Sequence, residues 1–435
     1  MSELWARMAL GTYRLLGSAT YPFMGPFLAF RARRGKEDRT RRYERYGYPS
    51  ADRPAGPIVW LHAASVGESM AIIPLIERID AMGINTIMTT GTVTSAEVVR
   101  NRLPERTYHQ YVPLDMERAV RRFLDHWSPD LAIFAESEVW PMIILELSSR
   151  RVPQVLVNAR MSDRSYQRWS SAPKLAEALF DKISHVVAQS ELDAERFRQM
   201  GARPVTVSGN LKVEAPGLPC DEEELSHFIR QIGGRPTWIA ASTHPGEEAA
   251  VISVHRTISK RIPDLLTILV PRHPERGDEI AALLREAGIG TARRSAYEEP
   301  DADTSVYLGD TIGEMGLYLR LANVAFVGRS LHASGGQNPL EPAMMGVAIL
   351  SGRNVHNFRD TYSSLLAAGG ARLVRDEEML AANVEFLLRN RTECQKMIVA
   401  ARETIEDMRG ALDKTVNVLD SYVFPLTIKR DLEDI

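Results

Sequence analysis

The sequence predicts an α/β protein with two doubly wound, Rossmann-like domains that face one another across a central crevice. Three observations lead to this prediction. The chain has 435 residues, more than one core of ordinary size accommodates. Short apolar runs alternate with helical patterns along its length, which is typical of parallel sheets covered on both faces. Near the middle, residues 211–236 are rich in proline, glycine and acids and interrupt the alternation.

Each half of the chain contains six runs with the character of buried strands. Those of the first half are 58–63, 85–90, 131–136, 155–160, 185–190 and 205–210. Those of the second half are 237–242, 265–273, 305–310, 323–328, 348–352 and 371–376. Helical patterns such as 116–127 and 378–390 lie between them. Ligands of such sheets bind beyond the carboxyl ends of the strands, so polar residues there are the site candidates.

Composition narrows the class of protein. Apolar residues make up 44% and charged residues 25%, a globular profile, and the net charge of −3 points to no partner. Cys220 and Cys394 are isolated, which fits a reducing compartment and argues against a disulfide scaffold or a zinc site. No basic, aromatic tract indicates nucleic acid, and the standard phosphate-loop, dinucleotide and serine-hydrolase motifs are absent from the sequence.

The N-terminus is unusual. Residues 3–30 are apolar and aromatic, and residues 31–45 carry eight Arg or Lys against three acids. Two arginines and two prolines interrupt the apolar run: Arg7, Arg14, Pro22 and Pro26. We expect a helix that lies in the membrane interface or inserts part-way, with the basic cluster on anionic lipid. The alternative is an amphipathic helix packed on its own domain.

Glu68 is the first candidate for chemistry. Ser65-Val-Gly-Glu68 follows the first strand and matches a capping box, in which the glutamate only caps its helix. Gly67 also leaves room for a substrate, and a carboxylate at a sheet edge can act as a general base. On the residues alone, both interpretations stand.

Two further stretches of the first half carry candidates. Glu136 and Glu138 end a strand beside Trp140, and acid–base chemistry competes there with helix-dipole stabilisation. Lys212 follows the last strand of this half and suits a phosphate or a developing negative charge. A solvated surface lysine is the alternative.

The second half offers anion-binding candidates. Ser242, Thr243 and His244 precede a helix, and Arg272 with His273 follows the next strand. The stretch 327–346 then holds Gly335-Gly336. In it Asn338 is a predicted N-cap, Pro339 a first helical residue, and Glu341 a ribose ligand or capping-box partner.

An ordered set of motifs goes beyond these single candidates. HAASVGE, AESEVWP, VNARMSDRSY, GNLK, STHPGEE, LVPRHPER, GDTIGEM and GGQNPLEPA follow one another along the chain. The set resembles the 3-deoxy-D-manno-octulosonic acid (Kdo) transferases of lipopolysaccharide assembly, from the N-terminus to about residue 420. The resemblance implies the two-domain GT-B glycosyltransferase fold and attachment to the cytoplasmic face of the bacterial inner membrane.

The resemblance also implies a reaction. Kdo would pass from CMP-Kdo to the lipid A precursor, lipid IVA, with inversion, no metal and no cofactor. The implied catalytic residues are Glu68 as general base, with Glu136 and Lys212. The implied donor-binding residues are Ser242, His244, Pro271, Arg272, Ile312, Gly313, Glu314, Gly336, Asn338, Pro339, Leu340 and Glu341. The implied acceptor-side residues are Ser65, Gly67, Glu138, Asn158 and Arg160. The implied partners are these two substrates and membrane lipids.

Two positions depart from the family pattern. Arg329 and Gln337 stand where the pattern often has glycine and histidine, and Gln337 cannot carry a proton. The expected organisation is a membrane-associating segment at 1–45, an acceptor domain at 46–212 and a linker at 213–236. A CMP-sugar domain at 237–412 and a C-terminal helix and tail at 413–435, which packs back on the first domain, complete it.

Two other classes of function compete. A sugar-nucleotide epimerase of the same fold would not need a lipid anchor. A non-catalytic membrane scaffold would be indifferent to Glu68→Gln. The sequence carries no motif that counts the Kdo residues added, and none that sets the acyl pattern of the acceptor or the oligomeric state.

Overall fold

The structure, a computed structural model, describes residues 3–215, 217–333 and 335–433. It divides into two compact units. Unit 1 takes the described residues up to Ala215 together with those from Met408 onward, and unit 2 takes the described residues between them. The ends of the predicted terminal segments, residues 1–2 and 434–435, lie outside the described residues.

Unit 1 is built around a parallel sheet of seven strands. They are β1 (Ile58–Ala63), β2 (Asn85–Thr90), β3 (Thr107–Tyr111), β4 (Leu131–Ala135), β5 (Gln154–Ala159), β6 (His185–Ala188) and β7 (Val205–Val207). The order across the sheet is β3-β2-β1-β4-β5-β6-β7. The direction of winding therefore reverses between β1 and β4, which is where doubly wound sheets place their ligands.

Helices cover both faces of this sheet. Those that follow β1 to β6 are α3 (Val66–Ala81), α4 (Val93–Arg100), α5 (Glu117–Trp127), α6 (Pro141–Ser149), α7 (Asp163–Ser170), α8 (Pro173–Phe180) and α9 (Glu191–Gln199). Alternate side chains of β1 enter opposite cores: Trp60 joins the core under α5 and α6, and Leu61 joins the core under α3. The last helix, α18 (Ala411–Glu433), adds Leu419, Val423 and Leu426 to the second of these cores.

The N-terminus forms two helices, α1 (Glu3–Thr20) and α2 (Met24–Arg33). Helix α1 contacts α5 and α8, and the Tyr13 hydroxyl donates a 2.8 Å hydrogen bond to Asp115. The Asp115 carboxylate also accepts from the backbone of Met142 and Ile143 at the start of α6. Many large apolar side chains of this segment are exposed: Leu4, Trp5, Met8, Tyr13, Leu15, Leu16, Phe23, Phe27 and Phe30. None of the helices within the described ranges combines the length and apolar character that crossing a membrane requires.

Part of the basic cluster 31–45 pairs with acidic residues of the same segment. Glu37 pairs with Arg31 and Arg45, and Glu44 pairs with Arg41. Arg45 and Glu44 are buried, because they also bind backbone groups at 91 and at 111–112. The ion pairs lie within the segment, and the hydrogen bonds to residues 91, 111 and 112 hold it on unit 1. The exposed cations that remain are Arg33, Arg34, Lys36 and Arg39.

Unit 2 repeats the architecture with a second parallel sheet. Its strands are β8 (Thr237–Thr243), β9 (Leu266–Pro271), β10 (Thr291–Arg293), β11 (Val306–Leu308), β12 (Val324–Val327), β13 (Ala348–Ser351) and β14 (Ala371–Leu373). Its helices are α10 (Glu222–Ile232), α11 (Glu247–Ser259), α12 (Gly277–Glu286), α13 (Met315–Arg320), α14 (Leu340–Met344), α15 (Arg359–Ala367), α16 (Glu377–Arg389) and α17 (Arg391–Asp407). The strand order is β10-β11-β9-β8-β12-β13-β14, with the reversal between β8 and β12.

The predicted fold class is confirmed, and all twelve predicted runs contain strands. The sequence missed β3 and β10, which are edge strands. TYHQY and TAR lack an apolar run, because an edge strand is covered less completely than a central one. The units divide between 215 and 217, and helix α10, inside the expected linker 213–236, belongs to unit 2.

Candidate active site

Glu68 lies in the first turn of α3, directly after β1. Its carboxylate accepts hydrogen bonds from the Ala64 amide at 2.9 Å and the Ser65 hydroxyl at 2.8 Å. Ser65 is the N-cap of α3, and its oxygen accepts from the Glu68 amide at 3.3 Å. The capping interpretation is therefore correct as geometry, with Ala64 rather than Ser65 supplying the backbone donor. It leaves the half-buried carboxylate able to serve as a base as well.

Burial and the charge of Glu136 raise the pKa of Glu68 above its ordinary value. The Glu138 charge acts in the same direction, and the hydrogen bonds from Ser65 and Ala64 oppose the rise. A carboxylate with a raised pKa is a stronger base than one free in water. Glu68 thus has the environment that a general base needs.

Glu136 and Lys212 form an ion pair of 2.5 Å beyond the ends of β4 and β7. Glu136 is only 8% exposed and has a φ of 57°, in the left-handed region that costs energy for a residue with a Cβ. A Cβ placed on Gly67 would lie 3.8 Å from Lys212 Cε, so Gly67 faces the lysine side chain. Glu136, Lys212 and the start of α3 are therefore brought together.

Two amides fix the turn that carries Lys212. The Asn158 side chain accepts from the Leu211 amide at 2.9 Å, and the Asn210 side chain accepts from the Lys212 amide at 3.0 Å. Asn158 is fully buried at the end of β5, and its φ is 50°. Its expected place was the acceptor side, whereas its amide oxygen supports Lys212.

His62 is a site residue that the sequence analysis missed. It is fully buried in β1, its Nδ1 lies 3.0 Å from the Thr89 carbonyl, and its Nε2 lies 3.5 Å from Glu138. Glu138 also accepts a 2.6 Å hydrogen bond from the Trp140 indole. The signal was a single polar residue within the apolar strand IVWLHA. Glu138 is thus held by the Trp140 indole, with the buried His62 ring in contact beside it.

Of the remaining acceptor-side predictions, Ser65 is exposed at the mouth of this cluster. The Arg160 amide lies 3.4 Å from the Glu136 carbonyl, just beyond β5. All five acceptor-side candidates thus gather at the carboxyl ends of β1, β4 and β5. The structure places carboxylates in the majority at this edge, with Lys212 among them.

The carboxyl edge of the second sheet carries histidine and arginine side chains instead. The ring of His244, at the end of β8, stacks on His273 with 5.7 Å between centroids. Burial lowers the pKa of His244, and the charges of Arg329 and His273 lower it further, against the opposing charge of Glu247. Arg272 follows β9 and is exposed, while its amide donates to the Thr243 carbonyl at 3.0 Å. Ser242, with a φ of 56°, and Pro271 lie at the same strand ends.

Two buried glutamates at this edge were also missed. Glu247 is 0% exposed and accepts from the amides of His244, Arg329, Ser330 and Leu331 at 2.7–3.0 Å. Glu248 accepts from the Thr243 hydroxyl and from Arg276. Glu247 therefore ties the end of β12 to the end of β8.

The segment 312–314 lies beyond β11. The Glu314 carboxylate binds Arg294, Thr311 and Tyr318. Burial alone would raise its pKa, but the Arg294 and Thr311 hydrogen bonds hold the pKa below its ordinary value. Its carboxylate is thus taken up within unit 2. Gly313 has a φ of 91°, and the Ile312 side chain is 65% exposed.

The loop 335–341 differs in detail from its prediction. The five-residue helix α14 begins at Leu340, one residue later than predicted. Pro339 rather than Asn338 is therefore its N-cap. The Asn338 side chain still accepts from the Leu340 amide at 3.1 Å. A Cβ on Gly336 would lie 3.0 Å from Val355 Cα, so the protein's own chain requires this glycine. Glu341 is in the first turn of α14, and Gln337 Nε2 lies 3.1 Å from His244 Nε2.

Backbone strain marks the same two edges. Glu136, Asn158, Ser242 and Arg329 are non-glycine residues with φ between 50° and 57°, and all lie at the carboxyl ends of strands. Such strain persists where the surrounding structure imposes it, and it concentrates at functional sites. Within the described residues no cluster of three or more His, Cys, Asp or Glu side chains could hold a metal ion.

The chain is similar to known transferases in sequence. A family model described as 3-deoxy-D-manno-octulosonic-acid transferase (kdotransferase) matches residues 40–215. The chain is 34% identical to the 3-deoxy-D-manno-octulosonic acid transferase of Haemophilus influenzae, over 92% of this chain and 95% of that protein. It is also 34% identical to the transferase of the same name from Bordetella pertussis, over 96% and 100% of the two chains.

A solved structure bears on the fold. The UDP-GlcNAc 2-epimerase from Neisseria meningitidis, bound to UDP-GlcNAc, superposes with a TM-score of 0.57 over 83% of this chain and 99% of that chain. The two sequences are 15% identical, so this likeness concerns the fold alone.

Proposed function

The chain belongs to the 3-deoxy-D-manno-octulosonic acid transferase family, and on that premise we propose that it transfers Kdo from CMP-Kdo to the lipid A precursor, lipid IVA. The observation that carries the proposal is the half-buried Glu68 carboxylate, whose pKa is raised beside Glu136. In this proposal Glu68 accepts the proton of an acceptor sugar hydroxyl. An epimerase has no acceptor hydroxyl to deprotonate.

The proposed transfer forms one bond and breaks another, with no change of oxidation state. The deprotonated hydroxyl oxygen forms a bond to the anomeric carbon of Kdo, and the bond from that carbon to the phosphate oxygen breaks. CMP leaves with the bonding electron pair, and attack from the face opposite the phosphate inverts the anomeric centre. The proton stays on the Glu68 carboxylate until product release.

Glu136 and Lys212 support this step from the same sheet edge. The 2.5 Å ion pair fixes the ammonium group on the side of α3 where Gly67 lacks a side chain. There Lys212 offsets the negative charge that develops on the hydroxyl oxygen, and Glu136 holds the lysine in place. Asn158 and Asn210 orient the lysine through its backbone.

Unit 2 supplies the donor side of the proposal. Its strand ends present Arg272, His244 and His273, and its carboxylates Glu247, Glu248 and Glu314 are occupied by the unit's own hydrogen bonds. An exposed guanidinium group, that of Arg272, therefore stands where the proposal puts the phosphate of CMP-Kdo. The negative charge that leaves with CMP is balanced by guanidinium groups, so the proposal assigns no metal ion to the reaction.

Membrane attachment is a second part of the proposal. Apolar side chains stay exposed on α1 and α2, among them Leu15 at 71% and Phe23 at 69%. Arg33, Arg34 and Lys36 follow them and are exposed. This combination suits an interfacial position on anionic lipid, where an acylated acceptor is available. We place the protein on the cytoplasmic face of the bacterial inner membrane.

The reaction is tested with purified protein, CMP-Kdo and lipid A precursor in detergent, with the lipid products read by mass spectrometry. We expect a mass gain of one or more Kdo units, which also counts the additions. If Glu68→Gln protein gives no mass gain, the result supports Glu68 as the general base. A full gain in Glu68→Gln overturns the role of Glu68, and no gain with wild-type protein that binds CMP overturns the proposed transfer.

Attachment is tested by flotation on vesicles that contain anionic phospholipid. Deleting residues 1–45 is unsuitable, because Glu44 and Arg45 are buried in unit 1. We expect Leu15→Gln with Leu16→Gln to reduce flotation. The matched control is Phe424→Gln with Leu432→Gln, which removes equally exposed apolar groups from α18. An equal loss in both double variants would contradict attachment through α1.

A further inference from the structure

Arg329 is the one strained arginine at the carboxyl edge of the second sheet, within the residues that the structure describes. It lies two residues beyond β12, and its φ of 57° is a conformation that glycine adopts far more readily. The side chain is exposed, and within the described ranges its guanidinium group makes no hydrogen bond or ion pair. No hydrogen bond or ion pair among the described residues of unit 2 therefore uses the arginine side chain.

The backbone of Arg329 is nevertheless held firmly. Its amide and the amide of His244 both donate to Oε2 of the buried Glu247, at 2.7 Å and 3.0 Å. Its carbonyl accepts from the Gly336 amide at 2.8 Å. One carboxylate oxygen thus fixes the starting points of the Arg329 and His244 side chains relative to each other.

The guanidinium group of Arg329 is exposed and lies beside a glycine, Gly335. The Nε atom of Arg329 lies 3.7 Å from the point where a Cβ on Gly335 would be. The arginine side chain therefore passes over a residue that has no side chain. Its charge helps to lower the pKa of His244. Strands β9 and β12 are the two neighbours of β8, so Arg272 and Arg329 follow the strands on either side of β8.

We infer that Arg329 binds an anionic group of the sugar-nucleotide donor through its guanidinium group, as a specificity-determining residue of the proposed reaction. The inference rests on the proposed function. CMP-Kdo carries two such groups, the phosphate and the carboxylate of Kdo, and both present the paired oxygens that a guanidinium fork recognises. The strain at Arg329 is then explained by the ligand contact, since an unstrained glycine would lack the fork.

The test compares four proteins by isothermal titration calorimetry with CMP and with CMP-Kdo. They are the wild type, Arg329→Gly, Arg329→Lys and the control Arg285→Ala. Arg285 is an exposed arginine on α12 whose side chain makes no hydrogen bond or ion pair among the described residues. Glycine suits the backbone at 329, so the melting temperature of Arg329→Gly should equal or exceed that of the wild type.

We expect Arg329→Gly to weaken CMP-Kdo binding about 10- to 100-fold, the range for a lost charged hydrogen-bond pair. Arg329→Lys should lie between the wild type and Arg329→Gly, and Arg285→Ala should match the wild type. Weakening of both ligands identifies the phosphate as the bound group. Weakening of CMP-Kdo with CMP unchanged identifies the carboxylate.

Equal affinity of Arg329→Gly and wild type for both ligands overturns the inference, whatever the melting temperatures. A wild-type protein that binds neither CMP nor CMP-Kdo is a different result, because it overturns the proposed function itself. A loss in Arg285→Ala as large as that in Arg329→Gly also overturns the inference, because a general charge effect then accounts for both.

Discussion

The two sheets place similar glutamates after their first strands, and the surroundings of these glutamates differ. Ser65-Val-Gly-Glu68 follows β1, and His244-Pro-Gly-Glu247 follows β8. Glu68 is half-buried and accepts from one amide and one hydroxyl. Glu247 is fully buried and accepts from four amides.

This difference decides the charge of each edge. In unit 1 the carboxylates stay at the edge, so the environment favours taking up a proton. In unit 2 the carboxylates of Glu247, Glu248 and Glu314 accept hydrogen bonds from the backbone and from arginines, so the exposed Arg272 and Arg329 set the charge and favour an anion. The same topology therefore yields a basic proton acceptor in one unit and an anion-binding edge in the other.

Replacing the base is expected to have the largest effect on activity. Glu68→Gln should lower kcat about 100- to 10,000-fold, the usual contribution of general base catalysis. CMP affinity should be unchanged, since the donor side lies in unit 2. Product formation by mass spectrometry and CMP titration are the two readouts. Glu77→Gln, an exposed position on the same helix, is the control, and an equal loss there would contradict the assignment.

Replacing Glu247 should destabilise unit 2 rather than slow the proton transfer at Glu68. Glu247→Gln leaves backbone amides at the β12 end without a charged acceptor, so the free energy of unfolding should fall by about 2–4 kcal/mol. Chemical denaturation measures it, with the exposed Glu286→Gln as control. Unaltered stability in Glu247→Gln would mean that the two glutamates are not as different as the hydrogen bonds indicate.

Replacing Lys212 tests how charge at the carboxyl edge of the first sheet affects Glu68. Lys212→Met leaves the Glu136 charge uncompensated, which should raise the pKa of Glu68 further. We expect kcat to fall about 10- to 100-fold and the acidic limb of the kcat/KM profile to move to higher pH. Adding Glu136→Gln should move that limb back. A limb that stays in place in Lys212→Met would show that Glu136 does not act on Glu68.

The smallest expected effect concerns stability and pH. Because the folded-state pKa of Glu68 is raised, its contribution to stability is fully present below its unfolded value of about 4.3 and is lost as pH rises through the folded value. The melting temperature of wild type relative to Glu68→Gln should therefore decrease between pH 4 and pH 8. Glu77→Gln should show no such trend. A relative melting temperature that increases with pH would contradict the raised pKa.

Much of the fold could be predicted from the sequence because central parallel strands are covered on both faces. IVWLHA and NVAFVG are recognisable as apolar runs, whereas the edge strand TYHQY is not. The candidate residues were then found at the carboxyl ends of the predicted strands. Their contacts could not be predicted, because the partner of Glu136 is Lys212, 76 positions later, and the partner of Asn158 is Leu211, 53 positions later.

The sequence by itself determined the two doubly wound domains, the polar strand ends and the apolar N-terminal segment, because these depend on local periodicity and composition. Only the tertiary structure decided which glutamate stays available. SVGE and HPGE each place a glycine before the glutamate, but the loop at 329–331 brings three amides to Glu247, while Glu68 accepts only from residues of its own turn. A carboxylate's role follows from the donors that reach it, and distant parts of the chain supply most of the donors to Glu247.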